Sequence, residues 1–166
     1  MGAFPRELER AYARRMKELG RVLTSDEGEV LEAELFQSWV SAGRHDELIR
    51  RIHAVHDREG GREEIIVLGH ALQAAGDVER IDTLFLGLID RRARAFWANW
   101  PLAESGHPGH MAGCARQAAS TLEVYLEYYV RLAGLGLDDR KERVRREMLA
   151  FQARDRDGAK RARSAP

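Results

Sequence analysis

The chain has 166 residues, of which 44% are hydrophobic and 33% charged, a composition that suits one globular domain with a sizeable core. Its 27 basic and 27 acidic residues balance, which excludes a global field that would draw the whole protein to nucleic acid or anionic lipid. The single cysteine excludes an intramolecular disulfide framework and fits a reducing compartment. No apolar run approaches the roughly 18 residues of a membrane span, so we expect a cytoplasmic protein outside the membrane.

Helical periodicity dominates the sequence. Good helix formers are abundant, and apolar residues recur at three- or four-residue spacing in segment after segment. We therefore predict an all-α fold of about seven antiparallel helices, either a helical-hairpin repeat or an irregular bundle. The expected helices cover, in chain order, residues 4 to about 22, 26 to 42, 46 to about 59, 62 to 75, 77 to 100, 114 to 132 and 138 to about 154.

Local signals set these boundaries. Asp26 with Glu29 three residues later resembles a capping box at the start of the second helix. Glycines are expected to end helices two, three and four; those that end the third are Gly60 and Gly61. Pro101 is expected to break helix five, which leaves Leu102 to Gly113 (LAESGHPGHMAG) as the clearest loop of the chain.

The apolar faces of the last two helices differ in width. On helix six, small and apolar residues predict a broad buried side, and helix seven has only a narrow apolar stripe on a charged cylinder. The predicted buried side of helix six comprises Ala115, Ala118, Ala119, Leu122, Leu126, Tyr129 and Ala133. We predict a single helical domain over residues 1–153 and a basic, flexible tail over 154–166.

A weak internal repeat spans the middle of the chain. Aligning Gly43 with Gly76 gives an offset of 33 residues at which the apolar positions agree, as in helical-hairpin repeats. The residues that carry the pattern are Ile65, Leu68, Gly69 and Leu72 on one helix, Gly76-Asp77 at the turn, and Phe85 on the next helix.

With these residues, the segment 32–93 resembles the tetratricopeptide repeat and, less closely, its pentatricopeptide relative. The resemblance implies stacked helix pairs that present a groove to a protein partner, or to RNA in the pentatricopeptide case. The segment departs from the family pattern at Ile81 and Leu88, where alanine is usual, so a generic antiparallel bundle remains the alternative.

His107, His110 and Cys114 form the most suggestive polar cluster. Their HxxHxxxC spacing is workable for a metal such as zinc, and Cys114 with a histidine could form a nucleophilic pair. Both residue types are also common in loops and cores, so we expect neither metal nor cofactor and regard a small metal- or Cys/His-dependent enzyme as the alternative function. His53 and His56 are expected on a solvated helix face.

Aromatic residues end helix five. Phe96, Trp97 and Trp100 cannot all face one narrow stripe, and tryptophan is enriched at binding hot spots. We predict that these residues, with His107 and His110, bind a protein partner. The alternative is that they only cap the core.

The segment 140–163 is basic, with ten Lys or Arg against four Asp or Glu from Arg140 to the end of the chain. It could track phosphates, which makes a nucleic-acid-associated protein a further alternative. The preferred hypothesis is a non-enzymatic helical adaptor that binds a protein through the groove of helices two to five and the Trp97 to His110 region.

Overall fold

The computed structural model describes residues 3–55 and 62–164, and these residues form seven α-helices and no strand. The helices are α1 (Ala3–Leu19), α2 (Ser25–Ser41), α3 (His45–Ala54), α4 (Arg62–Ala74), α5 (Val78–Glu104), α6 (Pro108–Gly134) and α7 (Asp138–Ser164). The predicted all-α fold is confirmed. The predicted end of the third helix at Gly60-Gly61 lies outside the described residues.

The chain divides into two compact units, an N-terminal unit of residues 1–48 and a C-terminal unit of residues 49–166. The single domain expected over residues 1–153 stays a prediction. Within the described residues, no helix is both long and apolar enough to cross a membrane.

In the N-terminal unit, α1 packs antiparallel to α2. Phe4 meets Trp39 edge to face, with ring centroids 4.6 Å apart. The Arg44 guanidinium lies 4.4 Å over the Phe4 ring and pairs with Glu7 at 2.8 Å. A cation–π contact and an ion pair therefore both hold the start of α1 against the end of α2. The capping box at the start of α2 is formed by Thr24 and Glu27. Our assignment to Asp26 and Glu29 was therefore two residues too late.

In the C-terminal unit, α4 and α5 form a hairpin around Gly76, whose φ of 65° is easily adopted only by glycine. Gly69 lets α4 approach α5 closely, because a Cβ at this position would lie 3.1 Å from the Phe85 ring. Phe85 in turn stacks on Tyr128 of α6 at 5.4 Å. The predicted core residues of α5 are all buried: Ile81, Leu84, Phe85, Leu88 and Ile89.

Three helices of 27 residues each, α5, α6 and α7, follow one another in the C-terminal unit and pack together. The prediction that Pro101 breaks helix five is wrong, since α5 continues to Glu104 with Pro101 inside it. Ala103, beyond the proline, is buried and anchors the last turn. The chain turns at Gly106, which has a φ of 79°. Pro101 removes only one backbone hydrogen bond of α5, whereas the positive φ of Gly106 changes the direction of the backbone.

The start of α6 corrects the predicted loop. Pro108 occupies the first turn of α6, where its missing N–H costs nothing, and His107 caps the helix. Most of the predicted loop from Leu102 to Gly113 is therefore helical, and only residues 105–107 connect α5 to α6.

The buried side of α6 is also not the predicted one. Of the predicted set only Ala118 is buried, while Leu126 is 52% exposed. The residues that α6 buries lie one position earlier: Cys114, Ala118, Thr121, Val124, Tyr125, Tyr128, Arg131 and Leu132. The helix is thus rotated about 100° from the predicted orientation, the angle of one residue.

The last helix, α7, runs to Ser164, ten residues beyond its predicted end at 154. Its apolar stripe matches the prediction, with Val144 and Phe151 buried. The flexibility of the segment 154–166 stays a prediction.

Candidate functional site

The aromatic end of α5 comprises Phe96, Trp97 and Trp100, which pack with Phe151 of α7. Phe96 is fully buried and contacts Phe151 and Trp100, each at a ring-centroid distance of 5.4 Å. Trp97 meets Phe96 at 4.7 Å and Phe151 at 6.2 Å. These edge-on and tilted geometries are the favourable ones for aromatic pairs.

Helix geometry divides the three rings between core and surface. Consecutive residues point about 100° apart, so when Phe96 faces α7 and the core, Trp97 must turn towards solvent. Trp97 is 37% exposed; Leu102, five residues later and about 140° around the helix, is 50% exposed. Trp100 is half-buried. The aromatic end therefore combines a buried base, Phe96 with Phe151, and an apolar surface that begins at Trp97.

His107 and His110 lie at the neighbouring turn, and both are exposed. Their rings are 5.0 Å apart. His107 Nδ1 accepts a 3.2 Å hydrogen bond from the Gly109 amide, so this imidazole caps α6 through its unprotonated nitrogen. Both imidazoles are therefore exposed at the turn that follows α5 in the chain.

Cys114 does not join the histidines in a metal site. Its side chain is buried in the bundle, whereas His107 and His110 face solvent. No group of three His, Cys, Asp or Glu side chains in residues 3–55 and 62–164 is placed to hold a metal ion. Burial, and then the charge of Asp155, raise the pKa of the Cys114 thiol. A thiol in this environment is a poor nucleophile near neutral pH.

His53 is a residue whose role the sequence did not reveal. It is buried, and our expectation of a solvated helix face was wrong for it; His56 lies outside the described residues. The His53 Nε2–H donates to the Leu84 carbonyl at 3.0 Å, and Arg91 Nη1 donates to the His53 carbonyl at 2.9 Å. These bonds tie α3 to α5, which is an architectural role.

A second cluster, centred on Arg131, was also not predicted from the sequence. Arg131 is 6% exposed on α6, and its Nη1 lies 2.6 Å from His70 Nδ1 and 3.0 Å from Gln73 Oε1, both on α4. Because an arginine side chain only donates, the His70 nitrogen must accept. Glu127 Oε2, 3.4 Å from Nη2, supplies the counter-charge. The cluster joins α4 to α6 through a buried cation.

The cavities of the two units differ in size. The cavity beside Arg62, Arg92 and Glu123 has a volume of about 40 Å³, whereas a cleft in the N-terminal unit lined by Tyr12, Val22 and Glu32 has a volume of about 340 Å³, within the range of small-molecule sites. In the N-terminal unit, Tyr12 donates a 2.6 Å hydrogen bond to Glu32, and this bond together with burial raises the pKa of Tyr12 to about 12. Tyr12 is therefore not an acid–base group near neutral pH.

Three cations of α7 form ion pairs within the chain. Arg140 pairs with Asp82 of α5 at 2.5 Å, and Lys141 and Arg145 pair with carboxylates three residues before them on α7. Paired cations contribute less to a phosphate-binding surface than free ones. The side chains from 158 to 166 lie outside the described residues, so nucleic-acid binding by the tail stays a prediction.

Comparison of the chain with protein-family models, with curated proteins and with solved structures finds no match.

Proposed function

We propose that the protein is a non-enzymatic helical adaptor that binds a protein partner through the aromatic end of α5 and the adjoining turn. One observation carries the proposal: Trp97 exposes apolar surface on a rigid aromatic base of Phe96 and Phe151. Tryptophan side chains on a packed support are typical of binding hot spots, because little conformational entropy is lost when they become buried.

The exposed histidines extend this surface with polar groups. His107 and His110 lie just beyond the last turn of α5 and offer hydrogen bonds at the margin of the apolar patch. An apolar centre with a polar margin is the usual composition of a protein interface. Phe96 would take part as the buried support of Trp97.

The family resemblance is part of the proposal. The packing of Gly69 against Phe85 supports it, since both residues belong to the pattern by which the segment resembles a tetratricopeptide repeat. A cytoplasmic location is likewise proposed, on the basis of the single cysteine.

The test is affinity purification from the native host with wild-type chain and two variants. Trp97→Ala should reduce capture of the partner by at least about tenfold, as expected for a hot-spot residue. Leu86→Ala is the matched control, since Leu86 is an exposed residue of α5 (42%) far from the aromatic end; capture should be unchanged.

Thermal unfolding of the same variants separates binding from folding. Trp97→Ala should keep a melting temperature within a few degrees of the wild type, in line with a loss of about 1 kcal/mol. Unreduced capture by Trp97→Ala would contradict the proposal, and a large fall in its melting temperature would assign Trp97 to the core instead.

A further inference from the structure

The outer face of α6 is an apolar surface that the bundle leaves uncovered. Leu126 and Val130 are 52% and 42% exposed. The face consists of Ala115, Ala119, Leu122, Leu126, Tyr129 and Ala133, with Val130 at its edge; Leu122 and Tyr129 are half-buried and the others exposed.

The spacing along this face is that of a helix–helix seam. The six residues follow one another at steps of 4, 3, 4, 3 and 4, which is the heptad period of coiled-coil packing. The buried side of α6 has the same steps one residue earlier, at 114, 118, 121, 125, 128 and 132. The helix therefore carries two parallel seams about 100° apart, one filled by its own bundle and one open to another helix.

The open seam is self-complementary in size when read against an antiparallel copy of itself. Centred on position 124, Ala115 lies opposite Ala133, Ala119 opposite Tyr129, and Leu122 opposite Leu126. Each end of the seam therefore pairs two alanines, the next position inwards pairs an alanine with a tyrosine, and the positions on either side of the centre pair two leucines. An isologous two-fold interface requires this kind of match, whereas an unrelated partner does not.

The charges around the seam permit two copies to meet. Glu123 beside the seam pairs with Arg62 at 3.9 Å. On the other side, Lys141 lies 6.0 Å over the Tyr129 ring while its ammonium pairs with Asp138, and Arg145 pairs with Glu142. In the antiparallel arrangement the two Glu123 side chains lie near the centre, each with Arg62 as its counter-charge. The chain has no net formal charge, so no overall charge repels a second copy.

The dimensions suit a dimer. The seam from 115 to 133 is about 27 Å long. A strip about 20 Å wide, two helix diameters, has a projected area of roughly 540 Å². The corrugated accessible surface of such a strip approaches the ~800 Å² that each partner buries in a standard interface.

We propose that a second copy of this chain covers the outer face of α6, with the two α6 helices antiparallel about a two-fold axis at the level of residue 124. The aromatic end of α5 is not part of this face, so pairing leaves the proposed adaptor surface open.

The first test measures mass in solution by light scattering of the full chain at tens of micromolar. The wild type should have twice the mass of one chain. Leu126→Glu should have half the wild-type mass with unchanged helical circular dichroism, because it places a charge in the centre of the seam. Leu86→Glu changes an exposed leucine of α5 (42% against 52% for Leu126) and should remain dimeric.

The second test examines the antiparallel arrangement by cysteine cross-linking in a Cys114→Ala background. Ala115→Cys combined with Ala133→Cys should give a disulfide-linked dimer on mild oxidation, whereas either substitution alone should not, since each alanine faces the other in the second copy. A monomeric wild type, a dimeric Leu126→Glu, or dimers from each single cysteine would overturn the proposal. Capture of a different protein by a chain that is monomeric on its own would do so too.

Discussion

Tyr128 of α6 donates a 2.6 Å hydrogen bond to Oδ1 of Asp82 on α5, and the second oxygen of the same carboxylate accepts from Arg140 of α7 at 2.5 Å. One side chain thus joins three helices. Burial, and then the bond to Asp82, raise the pKa of Tyr128 well above its ordinary value, so the hydroxyl remains a donor throughout the neutral range.

Replacing Asp82 should destabilise the C-terminal unit in two steps. Asp82→Asn keeps an oxygen for Tyr128 but loses the half-exposed ion pair, which should cost about 1 kcal/mol. Asp82→Ala also leaves the buried Tyr128 hydroxyl unpaired and should cost about 2–3 kcal/mol. Urea denaturation measures both. Asp90→Ala, which removes only the exposed pair with Arg94 on the same helix, should change stability by less than about 0.5 kcal/mol; an equal effect of Asp82→Ala and Asp90→Ala would contradict the three-helix role.

Gly87 should not tolerate a side chain. A Cβ there would lie 2.5 Å from Cε1 and 2.8 Å from Nε2 of the buried His53, so the imidazole would have to move away from Leu84. Gly87→Ala should therefore lower the free energy of unfolding by about 1–3 kcal/mol.

Gly113 is the matched control for Gly87. It also lies within a helix, but nothing is within 4 Å of its added Cβ. Gly113→Ala should raise stability by about 0.5–1 kcal/mol, because alanine loses less backbone entropy than glycine on entering a helix. The glycine-to-alanine substitution is therefore expected to lower the free energy of unfolding at position 87 and to raise it at position 113. Changes in the same direction, measured by denaturant unfolding, would refute the packing argument.

Glu27 should link the stability of α2 to acid pH. The hydrogen bond from Arg21, and then the Thr24 amide, lower the pKa of Glu27 to about 2 from an ordinary 4.5. Since the folded-state pKa is the lower one, the stabilisation is fully present above pH 4.5 and is lost as the pH falls from 4.5 towards 2.

Carboxyl-carbon NMR titration measures this pKa directly. In Arg21→Ala the pKa of Glu27 should rise towards 4.5, because the largest cause of its depression is removed, and remain below 4.5 because the Thr24 bonds persist. An unchanged midpoint in Arg21→Ala would show that the Arg21 pair does not form in solution.

Cys114 should react slowly in the folded protein. The thiol is 3% exposed and its pKa is raised by burial, so alkylation by iodoacetamide requires transient opening of the bundle. At pH 8 the native chain should be alkylated at least about 100-fold more slowly than the chain in urea. Comparable rates in the two conditions would restore Cys114 as a candidate nucleophile.

The sequence predicts the number and most bounds of the helices because the signals involved are local. It does not predict which of two adjacent seams α6 buries. The outer seam contains only alanine, leucine and tyrosine, whereas the buried seam includes Thr121 and Tyr128. Thr121 donates to the Gln117 carbonyl at 2.7 Å and Tyr128 to Asp82. The latter partner is on another helix, so local spacing cannot reveal that this polar group is satisfied when buried.

The aromatic end shows the same division between local and tertiary information. The sequence locates it at the end of helix five, and the spacing of Phe96, Trp97 and Trp100 excludes one common face. The structure adds that Phe96 is the fully buried ring and that Trp97, although it also contacts Phe151 of α7, is partly exposed. Pro108 was a readable signal, since proline is favoured in the first turn of a helix.

The equal lengths of α5, α6 and α7, with connections of only three residues between them, have a consequence for how the chain acquires its structure. Most pairings in this hairpin series join neighbouring segments, so little loop entropy opposes their formation. We expect the C-terminal unit to refold within microseconds to milliseconds, as helical bundles of low contact order do. During synthesis, the α5–α6 hairpin can form before α7 has left the ribosome, which leaves the ring of Phe96 exposed until Phe151 arrives to cover it.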